Sequence, residues 1–151
     1  MRATLIVYLD ACALNRLTDD SSQMRVRLEA EAMELFFRHL MAGRVSWTAS
    51  SILEAEIQSN PDAQRREDAL GMLSYAAEFR LPNEEVATRA RFLSTLGYGG
   101  MDALHLAIAE YAKVDLLLTT DDRFLRQTER GLGTPLIRVA NPLDYVQEAK
   151  P

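Results

Sequence analysis

Two runs in this chain, TLIVYL at residues 4–9 and DLLLTT at residues 115–120, carry apolar residues in consecutive positions rather than at every second one. A strand with one wet face alternates. A strand that is apolar throughout is covered on both faces, as in a parallel sheet with helices packed above and below it. The chain between the two runs supplies such helices. From about Gln23 to Ala42, Val26, Met33, Phe37 and Leu40 recur at helical spacing, and Gly43 is placed to end the helix. RVSWT (44–48) reads as a short strand and SSILEAEI (50–57) as the start of another helix. Pro61 fits the first turn of a further helix running from Ala63 through Phe79. After an extended RLP, NEEVATRARFLSTLG (83–97) is helical, GYGG (97–100) breaks the chain, and MDALHLAIAEYA (101–112) is a strongly apolar helix. DDRFLRQTER (121–130) continues as helix, and PLIRVAN (135–141) is a strand closed by Pro142.

Strands alternating with helices predict an α/β fold: a three-layer α/β/α sandwich around a central, mostly parallel sheet. With no internal repeat, low-complexity tract or Pro/Ser-rich linker, the expectation is a single domain over residues 1–151. No apolar run approaches the roughly 20 residues that span a bilayer. The first apolar run is interrupted by Asp10 and followed by no small-residue cleavage site, which favours a strand over a signal peptide. The single cysteine, Cys12, has no internal disulfide partner and reads as a small buried hydrophobe in a protein of a reducing cytoplasm.

Open parallel sheets bind ligands outside the carboxyl ends of their strands, and acids stand at those places. Asp10 follows the first run, Asp121 follows DLLLTT, Glu54 and Glu56 lie in the helix after RVSWT, and Asp102 opens the helix that feeds DLLLTT. Each Asp has a local alternative. Asp is a good N-cap and acids are favoured in first helical turns, so Asp10, Asp102, and Asp121 or Asp122 could serve their own helices. Ser51-Ile52-Leu53-Glu54 reads as a capping box, giving Glu54 a local task, whereas Glu56 has none. Taken jointly, several carboxylates in one crevice repel one another and are pushed toward neutrality unless a cation sits among them. An oxygen-only set suits a hard ion, Mg²⁺ or Mn²⁺.

YLDACALNRL, SSILEAEI, GGMDALHLAIA and LLTTDDRF resemble, in order and spacing, the four acidic motifs of PIN domains. The small layout is similar to that of VapC-type toxins of toxin–antitoxin modules, and the likeness runs from about residue 5 to 142. By position the family's four acids fall on Asp10, Glu56, Asp102 and Asp121, with Asp122 and Glu54 as auxiliaries. The resemblance implies a metal-dependent endoribonuclease. Asp10, Asp102 and Asp121 would hold Mg²⁺ or Mn²⁺, and Glu56 would position the ion or a water. It also implies an antitoxin partner, a homodimer and a cytoplasmic location. A silent PIN-like binding module and a solitary nuclease without antitoxin stay open as alternatives. The chain departs from the family's usual pattern at Ala11 and Cys12, which stand where PIN domains carry Thr or Ser and a small polar residue. That removes a hydroxyl from beside Asp10.

The net charge of −5 opposes phosphate binding, although metal-binding acids count toward it, and fifteen of the seventeen basic residues are the fork-shaped arginine. Arg16 and Arg123 either meet RNA phosphates or pair with carboxylates. His105, one turn beyond Asp102, reads as a core histidine with a satisfied hydrogen bond, and His39 as a solvated one. The helix over 23–42 carries a wider apolar set than one core stripe needs: Val26, Leu28, Met33, Phe36, Phe37, Leu40 and Met41. It is either deeply packed or shared with a second subunit or an antitoxin segment.

Overall fold

The computed structural model describes residues 4–148. Five strands, β1 (Leu5–Leu9), β2 (Val45–Ser50), β3 (Glu78–Arg80), β4 (Leu116–Leu118) and β5 (Arg138–Ala140), form one sheet in the order β3-β2-β1-β4-β5. Every pairing is parallel, from Leu5 opposite Val45 to Leu118 opposite Ala140. The helices are α1 (Ala11–Asn15), α2 (Met24–Met41), α3 (Ser51–Gln58), α4 (Ala63–Met72), α5 (Glu84–Thr95), α6 (Gly100–Tyr111), α7 (Asp122–Glu129) and α8 (Pro142–Glu148).

The consecutive apolar positions of the strands divide between two cores. Val7, Leu9, Trp47, Leu116 and Leu118 point to one face, where they meet Met33 and Phe36 of α2 and Tyr145 of α8. Tyr8 and Leu117 point to the other, against Leu93 of α5 and Leu106 and Ile108 of α6. Covering both faces is what such strands demand, and it produces a three-layer α/β/α sandwich. The chain runs from β1 to β2 and β3 on one side, then returns to β4 on the other. The carboxyl ends of β1 and β4 therefore flank the switch point at which open sheets of this kind bind ligands.

Several local expectations change in the folded chain. The helix expected over 63–79 stops at Met72 and passes through a 3-10 turn at Leu73–Tyr75. It then gives way to β3, whose Phe79 pairs with Ala49 of β2. Residues of good helix propensity are drawn into a strand because the open edge of β2 offers hydrogen bonds, starting with Ala77 N–H to Trp47 O at 2.8 Å. Pro142 does close β5, but it is also the first residue of α8, where its missing N–H costs nothing. His39 is not a free surface group: its Nδ1 lies 2.6 Å from the Tyr145 hydroxyl of α8. Within the wide apolar set of α2, Met33, Phe36 and Phe37 are buried, while Leu28 and Met41 remain 42% and 67% exposed. No helix among the described residues is long and apolar enough to cross a membrane. The expected domain also includes residues 1–3 and 149–151, which lie outside the described residues.

The turn between α7 and β5 contains two glycines with left-handed backbone, Gly131 at φ +76° and Gly133 at φ +72°. A Cβ at Gly131 would meet nothing within 4 Å, whereas one at Gly133 would lie 2.7 Å from Leu93 Cδ2. Gly131→Ala should therefore cost only the left-handed penalty of about 1–2 kcal/mol. Gly133→Ala adds a clash in the core and should lower the melting temperature by clearly more. Thermal melts of the two variants side by side check the ranking, and equal losses would refute it.

Candidate active site

Asp10 begins where β1 ends. It is 1% exposed and caps α1, with Oδ1 accepting the Ala13 N–H at 2.9 Å. Its other oxygen, Oδ2, accepts the Thr119 hydroxyl. Thr119 immediately follows β4, and its Oγ1 in turn accepts the Asp121 N–H at 3.1 Å. One hydroxyl thus ties the carboxyl ends of β1 and β4 together. It also supplies, from a distant segment, a hydroxyl of the kind that Ala11 and Cys12 do not provide. Asp121 caps α7 through Oδ1, which accepts the Phe124 N–H at 3.1 Å; Phe124 is fully buried and fixes that helix in the core. Asp10 and Asp121 therefore both cap their helices, and the Thr119 hydroxyl brings these two caps together at the carboxyl ends of β1 and β4.

Asp102 sits in the first turn of α6, after the glycine-rich break. Gly99 is close: a Cβ there would be 3.5 Å from Asp102 Oδ2. Burial pushes the Asp102 carboxyl up to about 7, and the charges of Asp10, Asp121 and Glu56 push in the same direction while His105 opposes them. Among the described residues no hydrogen-bond donor meets this carboxylate. Asp10 is also raised, to about 6, chiefly by burial; the His105 ring, the Thr119 hydroxyl and the Ala13 amide pull it back down. Burial raises the Cys12 thiol too, reinforced by Asp10, Glu56, Asp121 and Asp102 together, so this half-buried sulfur feels all four acids.

Glu56 reaches the same region from α3. Its Oε1 accepts the Ala11 N–H at 3.0 Å, satisfying the first free amide of α1. It also lies 2.7 Å from His105 Nε2. Burial alone would raise the Glu56 carboxyl, but the His105 hydrogen bond and charge and the Ala11 amide outweigh it and hold Glu56 below the ordinary carboxylate range. His105 is buried and satisfied, as the sequence suggested; that its partner is one of the four acids was not foreseen.

Other expected site residues have different partners. The capping box at Ser51 does not form, because α3 starts one residue earlier: Ser50 is the N-cap and accepts the Leu53 N–H. Glu54 is then a fourth-position residue of α3, about 200° around the helix from Glu56, so the two do not share a face. Asp122 is half exposed and held in a paired contact with Arg25, whose two terminal nitrogens Nη1 and Nη2 each donate to one of its oxygens at 2.7 Å. Arg16 pairs with carboxylates, Asp19 at 2.6 Å and Glu29 at 2.8 Å. Arg123 is exposed, with one contact to the Gly97 carbonyl at 3.3 Å.

Sequence reasoning missed Thr119, Arg25 and Glu29. The buried Glu29 of α2 binds Arg16, Arg25 (3.2 Å) and Asn141 (2.6 Å). Arg25 reaches on to the Thr120 carbonyl at 3.1 Å and to Asp122, bracketing Asp121 on both sides. The signal available was an acid in the interior of a helix face otherwise turned toward the core.

The chemistry of the candidate donors, carboxylate oxygens alone, is the kind a hard divalent cation takes. Asp102 is a partly buried acid whose charged form its neighbours disfavour. Among the described residues no group of three acidic, imidazole or thiol side chains is placed to hold a metal ion. Mg²⁺ keeps several waters and borrows ligands from substrate phosphates, so an open arrangement suits it better than a closed cage.

The sequence pattern of the PIN domain matches residues 7–129. No curated protein matches the chain in sequence. Among solved structures, VapBC-1 from nontypeable Haemophilus influenzae is similar at 15% identity, over 92% of this chain and 99% of that one, with a TM-score of 0.59. Mycobacterium tuberculosis VapC20, a toxin that cleaves the sarcin–ricin loop, is similar at 12% identity, over 83% and 95%, with a TM-score of 0.58. VapBC2 from Rickettsia felis, bound to a DNA fragment from its promoter, is similar at 15% identity, over 90% and 98%, with a TM-score of 0.55. At these identities the likeness carries the fold.

Proposed function

Because the chain belongs to the PIN-domain family, we propose that it is an endoribonuclease dependent on Mg²⁺ or Mn²⁺, the toxin of a toxin–antitoxin pair. The observation that carries this reading is Asp102. It is a partly buried carboxylate without a donor among the described residues, pushed up to about 7 by burial and by Asp10 and Asp121. Such a group is stabilised by a cation. When bound, the ion supplies a Lewis acid and a water of lowered pKa for attack on a phosphodiester.

The residues of the chain divide the remaining work. Asp10, Asp102 and Asp121 hold the ion, with Asp10 and Asp121 kept in register by the Thr119 hydroxyl. Glu56 orients the ion or a water. Arg123, exposed at the start of α7, is the arginine available to an RNA phosphate, since Arg16 is committed to Asp19 and Glu29. The VapBC pairing of two similar structures supports an antitoxin partner. Met24 and Leu28, both exposed and one turn apart on α2, are apolar positions that this partner or a second subunit of a homodimer would cover. The chain acts as a single domain in the cytoplasm.

Incubating the purified protein with structured RNA should give cleavage in Mn²⁺ or Mg²⁺ that stops when EDTA is added. Cleavage indifferent to EDTA would overturn the metal reading. Calorimetric binding of Mn²⁺ without any cleavage would point to the silent binding module instead.

A further inference from the structure

Behind Glu56 runs a line of hydrogen bonds that the chemistry above does not use. The Tyr8 hydroxyl of β1 lies 2.7 Å from Ser50 Oγ and 2.6 Å from His105 Nδ1. His105 Nε2 lies 2.7 Å from Glu56 Oε1. Tyr8, Ser50 and His105 are completely sealed from solvent. On α6 His105 is flanked by Leu104, Leu106, Ala107 and Ile108, a setting in which another aliphatic side chain would pack at less cost.

Proton positions follow from the partners. An ionised carboxylate only accepts, so His105 Nε2 must donate to Glu56. In the neutral ring, Nδ1 accepts from the Tyr8 hydroxyl. The Tyr8 oxygen then accepts from Ser50, whose own oxygen accepts the Leu53 N–H at 3.1 Å. Every group is satisfied. Protonating the ring keeps the Nε2–H on Glu56 but turns the Tyr8 O–H toward Ser50, which displaces the Ser50 O–H from its acceptor. The neutral ring is the form that satisfies the line. A ring protonated at Nδ1 alone would set two acceptors 2.7 Å apart with no proton between them.

Glu56 Oε1 therefore receives two N–H groups, from Ala11 and His105, and Oε2 is the oxygen that no donor among the described residues occupies. We propose that His105, oriented by Tyr8 and Ser50, is a positioning residue that fixes Glu56 as a one-oxygen participant in the metal site. What Glu56 does there rests on the nuclease reading; the strut itself does not.

The strut is tested with His105→Leu, His105→Gln and Tyr8→Phe. His105→Leu should weaken Mn²⁺ binding in calorimetry by about tenfold, the usual size for loss of a group that orients a ligand. It should lower kcat for RNA while leaving KM in place. His105→Gln, which restores an N–H donor, should recover part of both, and Tyr8→Phe should show a smaller loss of the same kind. In the metal-free parent, nitrogen-15 spectra of the imidazole should show a slowly exchanging Nε2–H. Parent-like Mn²⁺ affinity in His105→Leu, with only the melting temperature lowered, would overturn the proposal, as would a neutral ring protonated at Nδ1. If His105→Leu fails to fold, Tyr8→Phe and the spectra decide. A parent that neither binds Mn²⁺ nor cuts RNA would sink the nuclease reading, and the spectra would still decide the strut.

Discussion

Asp102→Asn will remove cleavage and make the metal-free protein more stable. The loss should be about a thousandfold or more, because a bound ion supplies several kcal/mol of transition-state stabilisation and each 1.36 kcal/mol is a factor of ten. Asp102 is a cleaner probe than Asp10, whose two oxygens also serve Ala13 and Thr119. The gain in stability follows from the raised carboxyl. Burial, then Asp10 and Asp121, lift it from the ordinary 3.8 to about 7. Since the folded-state value lies above the unfolded one, the associated stability is complete below pH 3.8 and is lost as the pH rises through about 7. Discounted for the part of the side chain still open to water, the penalty at pH 8 is on the order of 2 kcal/mol. In EDTA at pH 8 the variant should therefore melt about 4–8 °C above the parent, and at acid pH the two should converge. Mn²⁺ should raise the melting temperature of the parent more than that of the variant. A variant that cuts RNA like the parent, or that melts below it at pH 8, would contradict the metal site.

The second large effect is structural and lies outside the four acids. Glu29→Ala leaves Arg16, Arg25 and Asn141 without their shared, fully buried acceptor. Removing one member of a buried charge network costs about 3–5 kcal/mol, and the partial exposure of Arg16 and Arg25 argues for the lower end. About 3 kcal/mol corresponds to a fall of about 6–12 °C in melting temperature. Because Arg25 brackets Asp121 through the Thr120 carbonyl and Asp122, Mn²⁺ affinity should fall in the same variant. Asp122→Asn, which removes only the exposed end of the network, should leave the melting temperature almost unchanged. Calorimetric melts of the pair distinguish the two sites, and a Glu29→Ala protein as stable as the parent would show that the buried acid is not an organising centre.

These two residues also mark how far the sequence could be read. Asp102 stood out as a candidate because it opens an apolar helix after a glycine-rich break and because three further acids stand at or near strand or helix boundaries. Glu29 was not, because within α2 it is one of several acids between apolar residues, and nothing local distinguishes the one that turns inward. The end of α4 was hidden for a similar reason. LSYAAEF is acceptable as helix, and only the free edge of β2 makes it 3-10 turn and strand. In α3, Ser50 and Ser51 are equally good caps by composition; the end of β2 selects Ser50, and that choice takes Glu54 away from the capping task.

What the sequence determined by itself is whatever short-range periodicity encodes. Consecutive apolar positions require strands covered on both faces, helical spacing supplies the covering layers, and Asp10 and Asp121 follow their strands directly. Tertiary structure decided the pairings: Thr119 with Asp10, His105 with Glu56, Arg25 with Asp122, partners 109, 49 and 97 residues apart in the chain. Periodicity assigns a side chain to a face of its element. A hydrogen bond needs two atoms within about 3 Å of each other, and that distance exists only once the layers have packed.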